Sequence, residues 1–201
     1  MIEHLRPALA LVGGLTLLTG IAYPLALTGI ARVVLPAQAG GSLVTIDGRV
    51  VGSRLIGQNV VGPEWFHGRP SAITATDPAD PSKTVDAPYD ASTSSGSNLG
   101  PLSARLIERV KGDVDALKAE TGADAVPADA VTTSASGLDP DVSPAFARLQ
   151  VKRIAAARGL SSERLEALVA EKTRGRDLGF LGEPRVNVLE LNLALAALGP
   201  S

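Results

Sequence analysis

The sequence predicts an α+β soluble domain behind a single N-terminal transmembrane helix. Three observations carry that expectation: a long uncharged run near the N-terminus, a two-residue hairpin signal shortly after it, and helical periodicity confined to the second half of the chain.

Between Arg6 and Arg32 lie 25 residues without a charge, PALALVGGLTLLTGIAYPLALTGIA. As a helix they would extend roughly 37 Å, against a hydrocarbon core of about 30 Å, so the segment crosses a bilayer once with some tilt. Pro7 falls in the expected first turn, where a missing N–H costs nothing, and Pro24 is expected to kink the helix near its far end. The organisation is thus a tail at 1–6, a span at 7–31 and a soluble domain at 32–201. A cleaved secretory signal is the competing reading, because Ala37-Gln38-Ala39 resembles a cleavage site. Against it, the core exceeds the usual length of about 7–15 residues, Arg6 alone forms the basic region, and Arg32 separates core from cut. Charge does not orient the span, since Arg6 and the amino terminus face Arg32, Arg49 and Arg54 across it.

Net charge is −2 and no basic block is present, which counts against nucleic acid as a partner. There is no cysteine, so thiol chemistry and cysteine-based metal sites are excluded.

After the span, Leu43-Val44-Thr45-Ile46 and Arg49-Val50-Val51 flank Asp47-Gly48, a dipeptide that favours a type I′ hairpin turn. Val60 to Ala75 holds the only Trp, one Phe and one His. From Gly68 to Gly100 the chain is rich in Pro, Ser, Asp, Thr and Gly, and Pro70, Pro78, Pro81 and Pro88 block regular structure. A stretch of that length is either a floppy linker or a functional loop. Pro101 to Ala119 then sets Leu102, Leu106, Val110, Val114 and Leu117 on one helical stripe, with Ile107 beside it. Val131-Thr132-Thr133-Ser134 is a candidate short strand. Ser143-Pro144 starts a second helix that stops at Gly159. A third runs from about Ser161 to Thr173 before Gly175. Val186-Asn187-Val188 leads into a last helix at Leu189 to Leu198, too short for a second span. There is no internal repeat, and the order is not a βαβ alternation.

Several chemistries fail on inventory. His4 and His67 are the only histidines, so no His-rich metal site can be assembled in the domain. Neither a phosphate-binding G-x-x-x-x-G-K-[ST] loop nor a G-x-G-x-x-G after a strand occurs. The Asp-Lys-Thr-Gly run of ATPases that form an aspartyl phosphate is missing: Ser82 precedes Lys83-Thr84, and Glu171 precedes Lys172-Thr173. A serine hydrolase could take its hydroxyl from Ser134, Ser136 or Ser143 and its base from His67, but no G-x-S-x-G elbow holds any of them. Asp139 and Asp141 straddle Pro140 and read as a turn before a helix N-terminus. Within the span, Ala8, Ala10, Gly13, Gly14, Gly20, Ala22, Ala26 and Gly29 are small. Ala10/Gly14 and Ala22/Ala26 each lie one turn apart, and with Gly13 they make the candidate faces for a partner helix in lipid. Gly and Ala are also simply common in membrane helices.

Blocks of residues then bring in a family. They run Gly41-Ser42-Leu43, Val51-Gly52-Ser53-Arg54-Leu55-Ile56-Gly57-Gln58, Trp65-Phe66-His67-Gly68-Arg69-Pro70-Ser71-Ala72 and Ser95-Gly96-Ser97-Asn98-Leu99-Gly100-Pro101. Further on come Ser136-Gly137-Leu138-Asp139-Pro140-Asp141-Val142-Ser143-Pro144, Gln150-Val151-Lys152-Arg153 and Gly182 to Asn192. In this order behind one span, they resemble the C subunit of the bacterial Kdp potassium-transporting ATPase, over essentially the whole chain.

The resemblance implies a non-catalytic accessory subunit of a potassium-importing P-type ATPase of the inner membrane. The implied partners are a potassium-binding A subunit, an ATP-hydrolysing B subunit, a small F subunit and membrane lipid. It also implies a soluble domain on the periplasmic side. The family is further described as a catalytic chaperone that raises the ATP affinity of the B subunit through a ternary complex, with no tightly bound cofactor of its own. On that view Gln150, with Ser136 and Gly137, are the candidate nucleotide contacts; otherwise Gln150 is a solvent-facing or helix–helix polar residue. The resemblance favours an ordered loop over a floppy one, with Arg69, Ser71 and Asn98 as its hydrogen-bonding residues. Ala135 stands where the family pattern has Gly, and Asp141 where His or Asn is more usual. The alternative function is a stand-alone membrane-anchored periplasmic hydrolase or binding protein.

Overall fold

The computed structural model describes residues 2–199, with the side chain of Ile2 excepted. Its contacts divide the chain into two compact units, Met1–Ser53 and Arg54–Ser201.

In the first unit, α1 (Ile2–Leu17) runs through a π-helical turn at Leu18–Ala22 into α2 (Tyr23–Val34). The helix thus begins ahead of the expected first turn, and Pro7 lies inside it. The irregularity lies at mid-helix rather than near the far end: it is the π turn, in which the Tyr23 N–H bonds to the Leu18 carbonyl five residues back. Its closing residue, Tyr23, precedes Pro24, which has no N–H to continue the ordinary ladder. Glu3–Val34 is long and apolar enough to cross a membrane, and its apolar window is entirely unburied within the chain. A short turn, α3 (Pro36–Ala39), takes up the Ala37-Gln38-Ala39 segment. The hairpin follows as expected, β1 (Leu43–Ile46) against β2 (Arg49–Ser53), with Ile46 opposite Arg49. Asp47 and Gly48 both take positive φ, 48° and 77°, as a type I′ turn requires.

The second unit is a helical core with small sheets attached. After β3 (Thr74–Thr76) and its antiparallel partner β4 (Thr84–Asp86) come α4 (Ala104–Thr121), α5 (Ala128–Val131) and β5 (Asp141–Val142). Next are α6 (Pro144–Leu149), α7 (Val151–Arg158), α8 (Ser162–Lys172), β6 (Thr173–Arg174), β7 (Arg185–Asn187) and α9 (Val188–Ala197). One antiparallel sheet has the order β5-β7-β6. Around it, Phe66, Phe146, Val151, Ile154, Leu165, Val169, Leu191 and Leu195 form the core.

Local capping explains where these helices start. Ser143, Ser161 and Asn187 each accept a hydrogen bond from the backbone N–H three residues on, those of Phe146, Arg164 and Glu190. Gly122 and Gly159 end α4 and α7 in the left-handed conformation.

Three expectations need correction. The stripe on α4 holds only in part: Val110, Val114 and Leu117 pack on the core, but Leu102 is 93% exposed in a turn before the helix, and Pro101 precedes rather than starts it. The helix from Ser143 to Gly159 is broken at Gln150, whose N–H bonds to Ala147 three residues back. The candidate strand at Val131–Ser134 is instead the end of α5 and an extended segment. Its Thr132 and Thr133 carbonyls accept from the Arg69 guanidinium, which takes the place of a neighbouring strand.

Candidate functional site

The segment from Trp65 to Ser71 has no regular structure, yet Phe66 is fully buried. A buried backbone must find partners for its N–H and C=O groups, and here two side-chain amides supply them. Asn192 on α9 accepts from the Phe66 N–H at 2.9 Å and donates to the Phe66 carbonyl at 2.8 Å. Gln150, at the α6–α7 break, does the same for the next residue: Oε1 accepts from the His67 N–H at 2.8 Å and Nε2 donates to the His67 carbonyl at 3.1 Å. Each amide acts as a one-residue strand, so the backbone of two successive residues is clamped from two different helices.

Arg153 extends the clamp toward residue 62. Its guanidinium donates to the carbonyls of Pro63 (2.6 Å) and Trp65 (3.1 Å) and to Gln150 Oε1 (2.8 Å), and pairs with Glu120 of α4 at 3.0 Å. Trp65 carries the Arg158 guanidinium over its ring at 4.8 Å from the centroid. His67 is held below its ordinary pKa, first by burial and also by Arg153, while its bond to Gly62 pulls the other way. The neutral ring places Nε2 2.7 Å from the Gly62 carbonyl. A carbonyl can only accept, so Nε2 carries the hydrogen.

The polar stretch after His67 is ordered by the same kind of bond. Arg69 pairs with Asp139 at 2.9 Å. Ser71 donates to the Gly137 carbonyl at 2.9 Å, and the Tyr89 hydroxyl donates to the Arg69 carbonyl at 2.7 Å. Ser134 N–H bonds back to Pro70, and Ser95 N–H to Ser136. Burial, then Asp139, push Tyr89 up to about 12. A Cβ on Gly57 or Gly68 would run into the Tyr89 side chain. At Gly137, with φ of 70°, a Cβ would lie 2.7 Å from the Ser95 carbonyl oxygen and against Ile73, itself buried. His67, Arg69, Ser71, Tyr89 and Phe146 line a cleft of about 370 Å³. The bonds just described engage its imidazole, phenol and guanidinium within the fold. None of the serines weighed as a nucleophile is among the described partners of the His67 ring. Ser143 donates to Asp129 at 2.9 Å while capping α6.

This scaffold, behind one apolar N-terminal helix, has relatives along its whole length. The family described as the K+-transporting ATPase c chain, KdpC, matches residues 5–197. The chain belongs to the KdpC family. Proteins named potassium-transporting ATPase KdpC subunit are 63% identical in Methylobacterium nodulans and 64% identical in Methylorubrum extorquens, each over 198 residues and 98% of both chains. One from Rhodopseudomonas palustris is 62% identical over 197 residues, covering 98% of this chain and 99% of its own.

The residues proposed from the family resemblance divide into groups. Gln150 is buried with both amide atoms engaged by His67 and Arg153. Ser136 accepts from the Leu138 N–H in a tight turn, and Gly137 is buried beside Ile73. Ser136 and Gly137 are therefore neighbours in one turn, while Gln150 sits in the separate His67 clamp. Arg69 and Ser71 bond across to residues 132–139, whereas Asn98 is exposed and takes a positive φ of 51°, a backbone role. Ala10, Gly13, Gly14, Ala22 and Ala26 are exposed on the membrane-length helix, and a Cβ at Gly13 or Gly14 would meet nothing within 4 Å. Sequence reasoning missed Asn192, Arg153 and Tyr89. Tyr89 had left a trace as the only aromatic between Gly68 and Gly100. Arg153 and Asn192 each close one of the blocks that carry the family resemblance, but no local pattern gave them a role.

Proposed function

We propose that the chain is a non-catalytic accessory subunit of a potassium-importing P-type ATPase, needed for assembly or activity of the complex. The observation that carries this reading is the full-length match to proteins named potassium-transporting ATPase KdpC subunit. The missing aspartyl-phosphate motif supports it, because ATP hydrolysis would then fall to another subunit. Glu3–Val34 holds the chain in the inner membrane, where its small residues leave room for helices of the A, B and F subunits. The soluble unit lies on the periplasmic side. A direct contact with ATP finds less support, since the Gln150 amide already serves His67 and Arg153.

Co-expression of the full chain with the other subunits tests the role. The chain is expected to co-purify with them and to be required for potassium-stimulated ATP hydrolysis. Normal transport without it, or turnover of a substrate by the chain alone, overturns the reading. The side of the membrane is tested separately. The chain has no cysteine, so Thr93→Cys, at an exposed position, reports cleanly to an impermeant thiol reagent on intact cells. Labelling is expected before lysis; protection until lysis refutes the periplasmic placement.

A further inference from the structure

Next to the His67 cleft, a second cavity of about 560 Å³ opens between α4, β4 and the segments around residues 97 and 133. That volume falls in the range of small-molecule sites. Its walls are held in place by backbone bonds. The Ser95 N–H bonds to the Ser136 carbonyl at 3.0 Å, and a Cβ on Gly96 would lie 2.8 Å from the Ala135 carbonyl oxygen. Asp86 is fixed by its pairing with Thr74, and the Ala87 N–H bonds to the Ile73 carbonyl at 2.9 Å. From the other side, α4 presents Arg105 and Arg109 one turn apart.

The polar groups that line this cavity are left over by the fold. The amides of the clamp on Phe66 and His67 are bonded at both atoms. Here, the side chains of Arg105, Asp86, Ser97 and Thr133 have no hydrogen bond or ion pair among the described residues. Arg109 uses Nη1 on Asp113 at 2.7 Å and on the Val131 carbonyl at 3.0 Å, while its Nε and Nη2 are buried without a partner. Among the described residues only the Arg69 Nε shares that condition. A buried donor without an acceptor costs stability until a ligand supplies one. Two guanidinium groups one turn apart on a helix also repel. A carboxylate seated against both would answer the two costs together.

We propose that this cavity binds a small zwitterion of the α-amino acid type, with its carboxylate on Arg105 and Arg109 and its ammonium group toward Asp86. Arg105 and Asp86 face one space without pairing with each other, and a molecule carrying both charges meets both. The planar guanidinium suits a carboxylate because it donates two parallel hydrogen bonds. The Ser97 and Thr133 hydroxyls supply further bonds, and Pro88 and Leu99 give the carbon body an apolar wall. A bare polyanion is the less suitable ligand, because it would bring its charge against Asp86. A nucleotide fits less well still, since no aromatic ring lines the cavity to stack on a base.

The test titrates L-alanine into the full-length chain in detergent, with arginine labelled by nitrogen-15. The Nε–H resonance of Arg109, assigned by its loss in Arg109→Lys, is expected to shift downfield and saturate as the proton gains an acceptor. Arg105→Gln and Asp86→Asn should each weaken alanine binding by about tenfold, as loss of one charged hydrogen bond does. Both positions are exposed, so the thermal midpoint of each variant should match that of the native chain. Acetate and methylammonium, each carrying one half of the zwitterion, should bind the native chain at least about tenfold more weakly than alanine. The absence of a saturable shift with alanine overturns the proposal, as does unchanged affinity in either variant or acetate binding as strong as that of alanine. If a variant lowers the midpoint, the comparison of alanine with its two halves on the native chain decides the matter alone.

Discussion

Replacing Asn192 by Leu isolates the clamp on Phe66, because the two side chains are similar in size and the substitution leaves little cavity. Both the N–H and the carbonyl of Phe66 would lose their partner, and Phe66 is fully buried, so water cannot replace the amide. An unsatisfied buried backbone group costs about 1–3 kcal/mol, which for two groups gives a central expectation of about 4 kcal/mol. Gln150→Leu should cost about half as much, since His67 is only partly buried and solvent can reach its backbone. The assay is urea unfolding of the full chain in detergent, followed by fluorescence of Trp65, the only tryptophan and the neighbour of Phe66. At a slope of about 2 kcal/mol per M, Asn192→Leu should bring the midpoint down by about 2 M. A loss below about 1 kcal/mol, or one no larger than that of Gln150→Leu, would refute the view that burial of the clamped group sets the cost.

The same measurement checks other sites. Gly137→Ala combines a left-handed backbone with contacts to Ile73 and Ser95, and should cost at least about 2 kcal/mol. Gly175→Ala, with open space around it, is the control and should change stability by under about 0.5 kcal/mol. His67 binds a proton more weakly folded than unfolded, so its contribution is intact above its ordinary pKa of 6.5 and is lost as pH falls below it. His67→Gln should remove that part of the acid sensitivity, and an unchanged pH profile would contradict the buried neutral ring. Tyr89 has the opposite sign: its pKa is raised from 10.0 to about 12, so its contribution is intact below pH 10 and fades as pH rises toward 12. The stability difference between the native chain and Tyr89→Phe should shrink across that window. In the membrane, Gly14→Ile with Ala10→Ile should weaken co-purification with the other subunits while leaving membrane insertion intact, as expected for a small-residue helix face.

Features whose causes lie within a few residues are legible in the sequence alone. Uncharged length marked the membrane helix, Asp47-Gly48 marked the turn of the hairpin, and Ser143, Gly159, Ser161 and Asn187 lie at helix ends. In each case the deciding interaction is a backbone preference or a bond to an N–H three residues away. Where polar groups find partners at long range emerges only once the chain is packed. Asn192 bonds to a residue 126 positions away, and Gln150 to one 83 away. Arg69 satisfies the carbonyls of residues 132 and 133, which is why the β-prone run Val131–Ser134 has no need of a neighbouring strand. Leu102 fits the apolar stripe of α4 by spacing, yet stays in solvent because the helix starts after it. Periodicity states which face could be buried, but only the packed chain decides how much of that face meets a neighbour.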